Sequence, residues 1–367
     1  MQFTVMQDDL LRCLQMVEKA VAVRDTAPIL TGVYLECQNG RLTVRGSDSE
    51  LTIEAYCSVE VVQEGNLVLE AKFFIPLIRR LPAGEVTVKL RPEQQMLEIN
   101  AGSGSFQLMI MSGEEYPELD IAGREPLVNI SSPLLAKMIR QTVYATEKDS
   151  GHSAFTGLLM EGTSEEIRLV ATDSSRLCFN RQQLPHGSEF DIIVPARTCT
   201  ELLRILPSDD ESLLEISLLG NQVVFTLEDA VVVSRLLEGK YPDYNRVIPK
   251  SGDVEITAPC QELRAALGRA NLMGKRGPAI VTFDLADGVL NLRSQDPDLG
   301  ESEETLVVEH VGEEVKSSFQ ARFILEMLRT VESEKVTIRL TNGLNPGIMR
   351  PADSEDYLYV IMPVRTV

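Results

Sequence analysis

The chain has 367 residues, 44% hydrophobic and 25% charged, which fits an ordinary soluble globular protein of two or three domains at ~100–150 residues each. Its net charge of −20 argues against a nucleic-acid partner unless the cations are gathered on one surface, because phosphate contacts need lysine and arginine. No run of ~20 apolar residues offers a membrane span. The N-terminus MQFTVMQDDLL lacks a secretory layout, and the six scattered cysteines and three histidines offer neither a disulfide framework nor a zinc site. The expectation is a cytoplasmic protein with buried reduced thiols, no metal, no cofactor and no membrane.

In chain order, a short strand (QFTV) leads into an amphipathic helix over 8–21, whose Leu10, Leu11, Leu14 and Val17 recur at helical spacing. Alternating strands follow at TGVYLE (31–36) and GRLTVRGSD (40–48). A second helix begins at Lys72 within LEAKFFIPLIRRLP, and LEINAGSGSFQLMIMS (97–112) supplies further strands before a Tyr-Pro turn in EEYPEL. The same order then repeats. LVNI leads into a helix over 132–146, TGLLME (156–161) restates TGVYLE, VPARTCTELLRILP (194–207) aligns without a gap on 69–82, and VVFTLEDAVVVSRLLEG (223–239) precedes GKYPDYNRVIP (239–249). A third pass runs from VEIT through a helix over 260–273, GVLNLRSQD (288–296) and FQARFILEMLRTVE (319–332).

The interval is 125 residues: Gly32 and Gly157, Tyr116 and Tyr241, and Ala71, Ala196 and Ala321 all keep it. A period this long marks repeated domains, since solenoid units run ~20–50 residues. Three domains are expected at 1–125, 126–251 and 252–367, each α+β with two helices on one face of antiparallel sheet. The six helical segments taken with their flanks (8–24, 72–80, 133–148, 196–205, 261–276 and 320–329) together carry +10, leaving −30 on the rest. Good helix formers account for part of this bias. The sharper reading is that one helical face meets polyphosphate while the acidic exterior repels other nucleic acid. Few aromatics accompany these helices, which disfavours single-strand stacking.

The three α+β repeats, the basic helices, TDSSRL after a strand, GKYPDYNRVIP and the C-terminal YVIMPVR together resemble the bacterial DNA polymerase III beta subunit, the replicative sliding clamp. The resemblance covers essentially the whole chain. It implies three clamp domains forming half of a closed ring, a head-to-tail homodimer around duplex DNA with no base readout, and no catalytic residues. The implied partners are the polymerase III alpha subunit, the clamp loader, other clamp-motif proteins and an associated 3′–5′ exonuclease, with the protein on the nucleoid. Six helices at ~10 Å spacing would enclose a circle near ~19 Å across, too tight for a duplex. Twelve give roughly 38 Å, so two chains are needed.

The resemblance also implies a pocket for partner peptides between the second and third domains. It carries over Thr172, Ser174, Ser175, Arg176 and Leu177 from TDSSRL, and Pro242, Arg246 and Val247 from the Tyr-Pro segment. The tail contributes Val360, Met362, Pro363, Val364 and Arg365, and Phe155 and Phe323 are expected walls. Such residues make a mouldable apolar cleft in which arginines orient a peptide, although Leu177, Val247 and Val360 also read as ordinary core. Ser174-Ser175 stand where the family usually has Gly-His, His152 stands where it has a rim arginine, and Thr366 and Val367 extend the tail.

On the DNA side the resemblance points Arg24, Lys72, Arg79, Arg80, Lys137, Arg140, Lys148, Arg197 and Arg204 at the duplex, with Asp149 where a neutral residue is usual. At the ring interface it pairs Phe106 and Leu108 with Leu272 and Met273. The acidic run GESEE (300–304) would meet basic side chains of the other subunit, yet Ser103 and Ser105 supply none, so a diverged or accessory clamp is an open alternative. So is a paralogue that binds partner peptides as a scaffold without encircling DNA. Two enzyme-like motifs are near misses: GHSAF (151–155), with His152 and Ser153, ends in Phe and precedes a strand, and GRANLMGKR (268–276) has the wrong spacing and no Ser/Thr after the lysine.

Overall fold

In a computed structural model, the protein is described at every residue except 24–26, 149–153, 185–186, 250–251, 275–276, 342–344 and 366–367. Arg24, Asp149, His152, Ser153, Thr366 and Val367 therefore lie outside the described residues. Every strand pairing among the described residues is antiparallel, and six helices accompany the sheets. The fold is α+β. The chain forms two compact units, one of Met1–Pro133 with Thr200–Leu236 and one of Leu134–Cys199 with Leu237–Val367.

The helices are α1 (Gln7–Val17), α2 (Ala71–Arg80), α3 (Ser132–Thr142), α4 (Ala196–Ile205), α5 (Cys260–Ala270) and α6 (Ala321–Leu328). Helix α1 buries Leu10, Cys13, Leu14 and Val17, and α2 buries Ala71, Phe74, Ile75 and Ile78, each an i, i+3, i+4, i+7 stripe. Helices α2, α4 and α6 begin at the three alanines spaced by 125 residues, as the repeat requires. The first helix of each repeat is shorter than its sequence pattern suggests. Past Val17 and Ala270 the backbone makes three-residue bonds (Ala20 N to Val17 O, 2.9 Å; Leu272 N to Arg269 O, 3.0 Å), so the last turn tightens out of α geometry. In α3 the Thr142 hydroxyl donates to Met138 O at 2.8 Å, and the chain continues as a 3-10 turn over Val143–Ala145.

The first unit is organised by one thirteen-stranded sheet, the second by a nine-stranded and a four-stranded sheet. Each large sheet is made continuous by one long-range pairing. In the first unit Leu51–Ser58 pairs with Ala230–Arg235; in the second, Arg176–Gln183 pairs with Tyr357–Ile361. Both are strand additions in which a repeat accepts the last strand of the next. The chain leaves the two added strands alike: Arg235 N donates to Glu50 O at 2.9 Å, and Met362 N donates to Ser175 O at 2.9 Å.

Candidate functional site

The expected peptide cleft can be followed residue by residue within the second unit. Asp173 opens a tight turn by accepting the backbone N–H of Ser175 (3.0 Å) and of Arg176 (3.1 Å) on one carboxylate oxygen. Thr172 closes it, its hydroxyl donating to Arg176 O at 2.6 Å. Ser174 sits at the tip with φ +70, the left-handed region that glycine occupies freely. A glycine, which the resemblance leads one to expect here, would take this conformation without steric cost, and this chain holds the turn with serine.

Behind the turn, Leu177 and Val360 are opposed on adjacent strands and share an apolar cluster with Leu159, Val170, Ile193, Tyr241 and Tyr244. Phe155 packs on this cluster and meets the Tyr241 ring edge-on at 5.9 Å. Tyr244 donates to Glu161 at 2.5 Å; burial first, and this bond second, push its phenol up to about 12. GKYPDYNRVIP thus anchors its two tyrosines inward. Pro242, Arg246 and Val247 face solvent, with Val247 46% exposed and Arg246 ion-paired to Asp243 at 3.0 Å.

The tail lies on the other side. Met362 is 41% exposed, Pro363 and Val364 are half-buried, Arg365 is exposed, and Val364 N donates to Ser318 O at 2.7 Å. Ser174 and Met362 are thus exposed beside a floor of Leu177, Val360 and Phe155.

Arg176 differs from its sequence expectation as a residue that orients a partner. It is 3% exposed and faces inward. It donates to Asp173 (3.0 Å), to Tyr144 O (2.6 Å) and to Glu326, and lies 4.2 Å over the Phe323 ring. Burial opposes its charge, but Tyr359, Glu326 and Asp173 outweigh that and hold its pKa above the ordinary value. Phe323, 8% exposed, is the platform for Arg176 rather than an open wall. Sequence reasoning missed Tyr144, Glu326 and Tyr359, which position this arginine; the eight tyrosines divide three, three and two over the repeats, so nothing in the sequence marked these out.

The cations expected at DNA that lie among the described residues are exposed, and several are already paired. Arg79 meets Glu18 at 2.9 Å, Lys137 meets Glu332 at 3.8 Å, Arg204 meets Glu201 at 2.7 Å, and Lys72 meets Glu70. Arg80 donates to Pro76 O, and Arg197 is exposed on the first turn of α4. Arg140 and Lys148 carry no ion pair among the described residues. Exposed pairs of this kind are worth about 0–1 kcal/mol, so an incoming phosphate can displace the carboxylate. Arg264 and Arg329, exposed on and just after the third-repeat helices, extend the set beyond the residues the sequence singled out.

At the expected interface Phe106 is 37% exposed, Leu108 is half-buried and Leu272 is 70% exposed, with half-buried Met273 beside it. Two carboxylates of the acidic run already have partners in their own chain. Glu304 is gripped by Arg269 in two bonds (2.6 and 2.8 Å) and Glu303 by Arg293 at 2.9 Å.

Burial pushes the Cys178 and Cys199 thiols up to about 12, far from a reactive thiolate. GRANLMGKR closes α5 instead of opening a helix, which puts it at the wrong pole for phosphate. Among the described residues no cluster is placed to hold a metal ion, and no helix is long and apolar enough to cross a membrane.

A three-repeat α+β chain with an apolar cluster behind the Asp173 turn and exposed cations on its helices fits a processivity-clamp class of protein. Comparison with known proteins agrees. Models of the DNA polymerase III beta subunit match in all three parts: the N-terminal domain over residues 1–120, the central domain over 129–243 and the C-terminal domain over 245–365. The beta sliding clamp of Bacillus subtilis is 31% identical over the full length of both chains, and that of Staphylococcus epidermidis 29%. A solved DNA polymerase sliding clamp from Bacillus subtilis superposes with a TM-score of 0.94 at 30% identity, and one from Pseudomonas aeruginosa bound to griselimycin with 0.95 at 27%, each over the whole of both chains. The chain belongs to the DNA polymerase III beta subunit family, the sliding clamps.

Proposed function

We propose that this chain closes a ring with a second copy around duplex DNA and tethers a polymerase to it, without catalysing a reaction itself. The repeats would divide near 1–125, 126–251 and 252–367, with the cations of the helices, Arg24 among them, toward the duplex.

One observation carries the ring. Two of the three repeats have the strand after their Asp-capped turn covered by the next repeat: Leu51–Ser58 and Arg176–Gln183. The third counterpart, Gly300–Val307, follows the equivalent turn at Asp296, yet is the terminal strand of its sheet. Conversely Gly104–Met111, the first-repeat counterpart of the added strands, meets Gly65–Glu70 only at Val68 and Leu69 and leaves 104–109 open along that edge. An acceptor without a donor and a donor without an acceptor fit each other in a second copy, and two such junctions close a head-to-tail ring.

The cleft beside Ser174, Leu177, Val247, Val360 and Met362 would take an extended peptide with apolar anchors, such as a segment of polymerase, loader or another clamp-binding protein. Arg176 acts there by positioning the turn. The test is topological. Loaded onto nicked circular DNA, the protein should be retained and then released on linearisation. Equal loss from circular and linear DNA would overturn encirclement and leave a peptide-binding scaffold.

A further inference from the structure

The repeats allow the unseen junction between copies to be read from the seen ones, and it has a different chemistry. At the junction of the second and third repeats three side chains stack. Arg176 lies 4.2 Å over Phe323 and 5.3 Å from the Tyr144 ring, and is ion-paired to Glu326.

Each of these positions has a counterpart at the open ends. Phe323 is the third residue of α6, as Phe73 is of α2 and Thr198 of α4. Phe323 and Thr198 are 8% and 2% exposed; Phe73 is 55% exposed. Arg176 is the residue whose N–H reaches the capping aspartate three positions back, as are Leu51 and Leu299. Arg176 and Leu51 are 3% and 2% exposed; Leu299 is 47% exposed. Tyr144 is the thirteenth residue counted from the start of α3, and Leu272 stands at that count from the start of α5, 70% exposed. Glu326, at position six of α6, corresponds to Pro76 of α2.

From this correspondence, which rests on the two-copy ring proposed above, we infer that Phe73 of one chain seats against Leu272 and Leu299 of a second copy. This apolar anchor replaces the arginine–glutamate pair of the internal junction. Leucine stands for Arg176 and proline for Glu326, so the contact holds no counterpart of that ion pair. Glu303 and Glu304 are meanwhile occupied by Arg293 and Arg269 of their own chain. Closure therefore rests on apolar burial and strand addition. Both are indifferent to screening, while two chains of net charge −20 repel each other less as salt rises.

The experiment is sedimentation equilibrium of the full chain at about 0.1 M and about 1 M sodium chloride. The wild type should be a dimer whose Kd is unchanged or tighter at high salt. Phe73→Ala and Leu299→Ala should each weaken it about tenfold per junction, hence about a hundredfold for a ring with two. Phe73→Leu should stay near wild type, and thermal melting of each variant shows that the fold is retained. A dimer that loosens tenfold or more with salt, or a folded Phe73→Ala variant with unchanged Kd, overturns this inference and leaves the ring standing. A persistently monomeric wild type overturns the two-copy ring itself.

Discussion

Among the five described non-glycine residues in a backbone conformation that L side chains adopt reluctantly, two sit in the same place of their repeats. Ser49 and Ser174, 125 residues apart, have φ +74 and +70 at the tips of the Asp48 and Asp173 turns. In these two turns the tip residue is left-handed, its side chain bears a steric cost there, and the hydrogen bonds to the aspartate hold it in place; the Asp296 turn keeps the same two bonds with Pro297 at its tip and no left-handed residue. Ser174→Gly should therefore raise stability by about 0.5–1 kcal/mol, less than full steric relief because glycine also gains freedom in the unfolded chain. Urea midpoints at constant slope would show it. A lowered midpoint would mean that the Ser174 hydroxyl makes an interaction worth more than the strain.

At the scale of elements, the turn and the helix facing it are tied by one buried arginine. Truncating Arg176 leaves Glu326, Asp173 and the Tyr144 carbonyl without their shared donor, which should cost about 3 kcal/mol and loosen the cleft with it. If the charge pair is the cause, Arg176→Met should be strongly destabilised and the double variant with Glu326→Gln should recover part of the loss in thermal melts. Additive losses would point to packing on Phe323 instead. The sequence showed TDSSRL and its strand, but nothing local told that Arg176 turns inward, because its partners lie 32 and 150 positions away. The helices were legible from their apolar stripes, and the repeat set their number. Their last turns were not, since the switch to three-residue bonding at Val17, Thr142 and Ala270 leaves the apolar spacing almost unchanged. The added strands were invisible for a related reason: period-two alternation marks a strand without naming its neighbour.

For the whole molecule, the elaboration of GKYPDYNRVIP beyond EEYPEL reflects what each turn packs on. Tyr116 stacks on Tyr34 at 5.4 Å, and nearby Arg45 and Glu54 form a buried ion pair, while Glu50 and Arg235 pair at 3.4 Å where the second copy has Ser175 and Met362. The first junction pairs Arg235 with Glu50 at its surface, whereas the second buries Arg176 with Asp173 and Glu326 and gathers buried phenols and a thiol beside an apolar cluster. Burial drives Tyr144, Tyr241, Tyr357 and Tyr359 upward, Tyr244 to about 12 and Cys178 to about 12. These acids are neutral when protonated, and in the unfolded chain they ionise near about 8.5 for the thiol and about 10 for the phenols. Their raised folded pKa values mean that the stability they contribute is complete below about pH 8.5. Above it the unfolded chain releases protons that the folded chain keeps, so stability falls progressively toward about pH 12. Melting temperature should thus decline from about pH 9 upward, more steeply past about pH 10, with phenolate absorbance appearing together with loss of structure. Phenolate signal from all eight tyrosines well below the unfolding pH would show that the junction admits solvent and that these rings do not seal it.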